Sequence, residues 1–169
     1  MLFVAKAEGP GQQMRMMPLV GVVAPVHATA SGKVWLASLP RREAAAVLAR
    51  QGLPRLASHT ITSRERLLCP APERPARGYA VVDEELVDGG RAVAAPILKA
   101  GHVVGAVAVS GAGVPPARWR GLHRLAPSVR QCGRGAGGGL GPGGDRARLR
   151  ARRAAAERQS AVRASQANR

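Results

Sequence analysis

At 169 residues, 46% of them hydrophobic, the chain has material for one modest core and not for two independent domains. Two tryptophans, one tyrosine and one phenylalanine leave that core to Ala, Val and Leu, while two cysteines and four histidines without CxxC or paired spacing exclude a zinc site or disulfide framework. The formal charge of +16 is weighted toward the C-terminus, where residues 131–169 hold nine arginines against two acidic residues.

Leu2 to Ala5 reads as a strand and Gln13 to Val20 as a second, joined as a hairpin through the turn at Glu8-Gly9-Pro10-Gly11. The start lacks a basic segment followed by an apolar stretch and a cleavage site, and no apolar run approaches the ~20 residues that span a bilayer, so the expected location is the cytoplasm, away from any membrane. A run of small residues, His27 to Lys33, leads into a helical pattern of Val34, Trp35, Leu36 and Leu39. Pro40 opens a second helix through Leu48, with Gly52 as its stop. Thr62 and Glu65 have capping-box spacing, which predicts a third helix burying Leu67 and Leu68 until Pro70, Pro72 and Pro75 end it. Tyr79–Leu86, Arg91–Leu98 and Val103–Ser110 read as a three-stranded antiparallel meander, turning at Asp88-Gly89-Gly90 and Ala100-Gly101. Pro115 and Pro116 start a last helix with Trp119, Leu122, Leu125 and Val129 at helical spacing. Residues 132–169 are rich in Gly, Ala and Arg and offer no packed face before about Arg146. They are expected to form a disordered or conditionally helical tail behind a domain of residues 1–131.

Strands, helices, a meander and a closing helix describe an α+β domain with helices packed on an antiparallel sheet. Six blocks then become informative together: Ala7–Gln12, Pro25–Lys33, Arg50–Pro54, Arg77–Val81 with Asp83–Leu86, Ala94–Ile97, and Val109–Gly111. In order and spacing they resemble the effector-binding domain of the IclR family of bacterial transcriptional regulators. The resemblance spans roughly residues 1–130. It implies a GAF-like antiparallel sheet flanked by helices, ligand-gated control of transcription without enzymatic activity, no cofactor, a small organic acid or aromatic metabolite as effector, and a homo-oligomer. Members of the family carry a winged helix-turn-helix and a linker helix ahead of this domain, and its first strand precedes the position of Met1. The chain is therefore expected to be truncated at its start, reaching operator DNA only through the missing helix-turn-helix. Residues 69–75 and 132–169 depart from the family pattern and are expected to be read out of frame.

The small residues 28–32 ahead of a helix suggest unpaired backbone N–H groups, which attract anions. Either the amides near Ala30 and Ser31 and the Ser31 hydroxyl hold a ligand carboxylate, or the small side chains merely let the helix pack on the sheet; the resemblance favours the ligand. It also places Val82, Asp83 and Ala92 at the border of the effector pocket, where the family often has an acidic or polar residue at Val82 and a cysteine at Ala92. Ala108 and Ser110, on one face of the last strand, complete the expected lining. Strand alternation puts Asp83 and Glu85 on one face and Glu84 on the other, read more simply as solvated or hydrogen-bonded charges at a strand end than as an acid/base pair. His27 and Tyr79 are expected to be structural, each with its polar atoms satisfied. Gly32-Lys33 is followed by Val34, and His27 stands where a P-loop has its first glycine, so no phosphate loop is present there. Two other functions compete: sequence-independent nucleic-acid binding through the arginines from Arg146 onward, and a hydrolase or isomerase using Ser31 and Asp83, which lacks a positioned base. A degraded fragment without function is the remaining alternative.

Overall fold

The computed structural model describes residues 1–7, 20–69, 78–112 and 122–138. In chain order the elements are α1 (Ala30–Ser38), α2 (Arg41–Gln51), α3 (Arg64–Leu68), β1 (Ala80–Asp83), β2 (Gly90–Lys99), β3 (His102–Ala112) and α4 (Leu122–Gly138). The three strands form one antiparallel sheet in the order β1-β2-β3. This is the expected meander and an α+β fold.

Side chains at even positions of the sheet face α1, where Ala30 and Val34 pack on Ala80, Val82 and Ala94 with Ala92 and Ala106 beside them. Odd positions face α4, where Ala126 and Val129 pack on Val93 and Ala95, with Tyr79, Val81 and Val107 alongside. Beyond α1 a third cluster joins Val26 and Leu36 to Ala44, Leu48 and Leu67 of α2 and α3. The layers therefore run α4, sheet, α1, then α2 with α3. Helix α1 is covered on two sides, which is why most of its residues are buried despite a weak apolar stripe.

Several elements differ from the sequence reading. Residues 1–3 pair with 21–24 through Phe3 N–H to Val22 O (3.2 Å), Gly21 N–H to Phe3 O (2.8 Å) and Ala24 N–H to Met1 O (2.8 Å). The expected partner strand, Gln13–Val20, lies outside the described residues except for Val20. Helix α3 is capped by Ser63, whose hydroxyl accepts from Arg66 N–H at 3.3 Å, so the capping box expected at Thr62 starts one residue late, and Leu67 is buried while Leu68 is half-buried. The expected strand Tyr79–Leu86 stops at Asp83 because Glu84 adopts φ 54° and turns the chain out of the sheet.

In α4 the buried residues are Ala126, Val129 and Gly133, whereas Leu125 stays 40% exposed. The expected stripe through Leu125 is displaced by one residue because small side chains let the helix lie close on the sheet. At Gly133 a Cβ would stand 2.4 Å from Pro96 O, so only glycine permits the approach. A packed face thus continues past Gln131, where none was expected before Arg146. Pro115, Pro116 and Trp119 lie outside the described residues, as do Pro70 to Pro75 and residues 139–169.

Candidate functional site

The segment Ala24–Thr29 folds tightly against the start of α1. Thr29 is its N-cap: the hydroxyl accepts from Gly32 N–H at 3.1 Å and donates to Pro25 O at 3.0 Å, and the Thr29 carbonyl accepts from Lys33 N–H at 2.9 Å. An N-cap satisfies the N3 donor and leaves those of N1 and N2. The amides of Ala30 and Ser31, which hold those two places, make no hydrogen bond among the described residues, and neither does the Ser31 hydroxyl. The donors expected to be free therefore divide, with Gly32 taken by the cap and Ala30 and Ser31 without a partner among the described residues, in a segment where both residues are buried.

Cross-strand register brings four of the sequence-predicted residues together. Val82 pairs with Ala92, Ala92 with Ser110, and Ala94 with Ala108, so Val82, Ala92, Ala108 and Ser110 share the face of the sheet that looks toward α1. Val82 is buried and touches the Ala30 cluster, Ala92 and Ser110 are half-buried, and Ala108 is exposed. Ala30 itself packs on the sheet, so at that residue the close-packing role of a small side chain is realised.

Asp83 is not on this face. It points to the α4 side and accepts from Arg91 Nε at 2.5 Å, while Glu84 accepts from Arg91 Nη2 at 2.5 Å. The left-handed backbone at Glu84 resets the alternation, so consecutive carboxylates meet one guanidinium and Glu85 turns inward to the Lys33 ammonium. The expectation that Asp83 and Glu85 share one face is overturned for that reason, whereas both are the hydrogen-bonded charges at a strand end that the simpler reading expected. Both Lys33 and Glu85 are buried, with side-chain exposures of 1% and 9%.

Sequence reasoning missed that buried ion pair, although a signal existed. Lys33 falls between Ala30 and Val34 on the buried side of a short helix, where a cation requires a carboxylate. His27 is buried as a structural group, its Nε2 3.1 Å from Pro54 O, but its Nδ1 lacks the hydrogen bond expected of it. Tyr79 packs in the α4-side cluster.

A cavity of about 360 Å³ lies elsewhere, between the α2–α3 connection and α3, lined by residues from Arg55 to Arg66. Nearby, Asp88 accepts from Ser58 Oγ at 2.6 Å and Ser58 N–H at 2.9 Å; these two bonds hold its carboxyl below the ordinary aspartate range. Among the described residues no helix is long and apolar enough to cross a membrane, and no group of three metal-ligating side chains occurs.

Residues 1–136 match the family described as "Bacterial transcriptional regulator IclR C-terminal". The HTH-type transcriptional regulator KdgR of Dickeya chrysanthemi is 35% identical over 98 residues, a stretch covering 57% of this chain and 32% of KdgR. A transcriptional regulator from Rhodococcus sp. RHA1 is similar in structure, with a TM-score of 0.63 and 38% identity over 72% of this chain and 49% of that one. The inducer-binding domain of PobR from Acinetobacter, a double mutant solved in complex with 3-hydroxybenzoic acid, aligns with a TM-score of 0.57 and 29% identity over 73% of this chain and 77% of that one. The chain spans about a third of the length of the curated relatives it matches. KdgR, AllR of Klebsiella pneumoniae and KipR of Bacillus subtilis are all HTH-type transcriptional regulators or repressors.

Proposed function

The chain belongs to the IclR family, and from that premise we propose that it is the effector-sensing part of a cytoplasmic transcriptional regulator, holding a small carboxylate between α1 and the sheet. The observation that carries this reading is the pair of amides at Ala30 and Ser31 that lack a hydrogen-bond partner among the described residues, standing at the positive end of α1 beside the Ser31 hydroxyl. A carboxylate there accepts from main-chain donors and needs no fixed cation; Lys33, the nearest in sequence, is engaged with Glu85. Val82, Ala92 and Ala108 offer methyl groups to the body of the ligand and Ser110 a single hydroxyl, which suits an aromatic or otherwise largely apolar acid. The aromatic acid bound by the PobR domain has this chemistry. Asp83, occupied by Arg91, fixes the end of β1 and does not touch the effector.

An effector that binds one arrangement of a homo-oligomer better than another shifts the population toward it, and in the complete regulator that shift alters operator affinity. The helix-turn-helix that would touch DNA lies outside this chain on this reading. Thermal unfolding with 3-hydroxybenzoate, pyruvate and succinate at constant ionic strength tests the sensor directly. A ligand at 100 times its Kd stabilises by about 2.7 kcal/mol. One acid is expected to raise the midpoint saturably, and Ser31→Val, which keeps both amides and removes the hydroxyl, to lower that rise measurably. A midpoint unmoved by every acid, or an identical rise in Ser31→Val, overturns the assignment.

A further inference from the structure

The cavity between the α2–α3 connection and α3 belongs to neither the α1 start nor the sheet face. Arg55, His59 and Arg66 line it with the hydroxyl-bearing Ser58, Thr62 and Ser63, and its lining contains no acidic side chain. Of the neighbouring carboxylates, Asp88 accepts from the lining residue Ser58, whose Oγ proton it takes, Glu84 is paired with Arg91, and Glu65 adjoins Arg66 on α3 without lining the space. Among the described residues the Arg66 guanidinium and the His59 ring make no hydrogen bond or ion pair, and Arg55 donates only to Ser58 O, at 3.1 Å. Three cationic or protonatable groups thus surround one concave space.

The backbone beneath them is already fixed. The buried Thr60 hydroxyl accepts from Leu56 N–H (3.0 Å) and Ala57 N–H (2.7 Å) and lies 2.7 Å from Glu85 O. His59 N–H donates to Glu84 O at 3.2 Å, and His27 Nε2 meets Pro54 O at 3.1 Å. A loop pinned at both ends loses little further conformational freedom when a ligand arrives.

We propose that this cavity is a second ligand site, separate from the effector site, that binds the phosphate group of a small phosphomonoester. A phosphate dianion matches guanidinium forks and hydroxyl donors converging from several sides. At about 360 Å³ the space also admits a small organic group attached to the phosphate. Nucleic acid calls instead for a basic stripe along a face, and here the groups converge on one point.

The test titrates the full 169-residue chain with inorganic phosphate, glycerol 3-phosphate and a 20-nucleotide single-stranded DNA, at constant ionic strength with chloride as control. The readouts are the His59 ring resonances and the thermal midpoint. The expected result is a saturable His59 shift with both phosphate compounds, tighter for glycerol 3-phosphate. Arg55→Gln and Arg66→Gln should each weaken binding about tenfold, the loss of one charged hydrogen bond. Both residues are exposed, so far-UV circular dichroism should match the parent, and Thr62→Val provides a milder variant with a smaller loss. A response no different from chloride, parent-like binding in the double arginine variant, or binding of the oligonucleotide in preference to glycerol 3-phosphate overturns the proposal. Because no residue of the α1 start is involved, failure here leaves the effector reading untouched, and the Ser31→Val result leaves this one untouched.

Discussion

Gly32 illustrates how tightly the start of α1 is held. A Cβ at this position would stand 2.3 Å from Val26 O and 2.4 Å from Val26 Cα, both backbone atoms that cannot swing aside. Gly32→Ala must therefore separate α1 from the 24–29 segment, an overpacking cost of about 3 kcal/mol. It outweighs the ~1 kcal/mol that alanine normally gains over glycine within a helix. Urea unfolding is the measurement: the midpoint should fall while the m-value stays constant. An unchanged midpoint would mean that the close approach does not exist in solution. Because the same segment presents the Ala30 and Ser31 amides, the surviving folded fraction should also bind an effector carboxylate more weakly.

Among the elements, the β2–β3 hairpin combines a register shift between Ile97 and Leu98 with one locally strained residue at its turn. Its two-residue turn has φ 49° at Ala100 and φ 81° at Gly101, positive at both central positions as a type I′ turn demands. Glycine adopts that region freely, whereas alanine pays about 1 kcal/mol in steric crowding between Cβ and the following carbonyl. Ala100→Asn creates the Asn-Gly pair that such turns favour and should stabilise the chain by about 1 kcal/mol, read as a higher midpoint in thermal unfolding. A lower midpoint would show that the turn is not of this type. Helix α4 makes the complementary point, because its glycine-bearing segment, which reads from composition as a poor helix, packs at Gly133 against Pro96 O. Tertiary contact there overrides local propensity.

At the level of the whole molecule, α1 joins two cores that would otherwise be separate. One of its sides packs on the sheet and another on α2 and α3, and the buried Lys33–Glu85 pair ties it to the exit of β1. Glu85 also accepts, through its carbonyl, from the Thr60 hydroxyl, so the α2–α3 connection is fastened to the same residue. Lys33→Met leaves a buried carboxylate without its cation and should cost about 3–5 kcal/mol. Hydrogen exchange should record lost protection on both sides of α1, at Val93–Ala95 in the sheet and at Leu48 in α2. Lys33→Met combined with Glu85→Leu should recover much of that loss, since an apolar pair of similar volume needs no charge compensation. Protection lost on one side alone would show that the two cores unfold independently.

The amino-acid sequence determined the order of helices and strands, the meander and its Ala100-Gly101 turn, because period, turn chemistry and capping are local properties that a few neighbouring residues settle. Even the shared face of Val82, Ala92, Ala108 and Ser110 followed once strand register was known, since side chains alternate strictly along a pleated strand. Only the tertiary structure decided where that alternation breaks: the left-handed turn at Glu84 sends Asp83 to Arg91 and Glu85 to Lys33. The same holds for the closeness of α4 at Gly133 and for the gathering of Arg55, His59 and Arg66 around one cavity. These features depend on groups from different segments meeting in space, and a pattern read along one segment carries no information about which distant backbone or charge will face it.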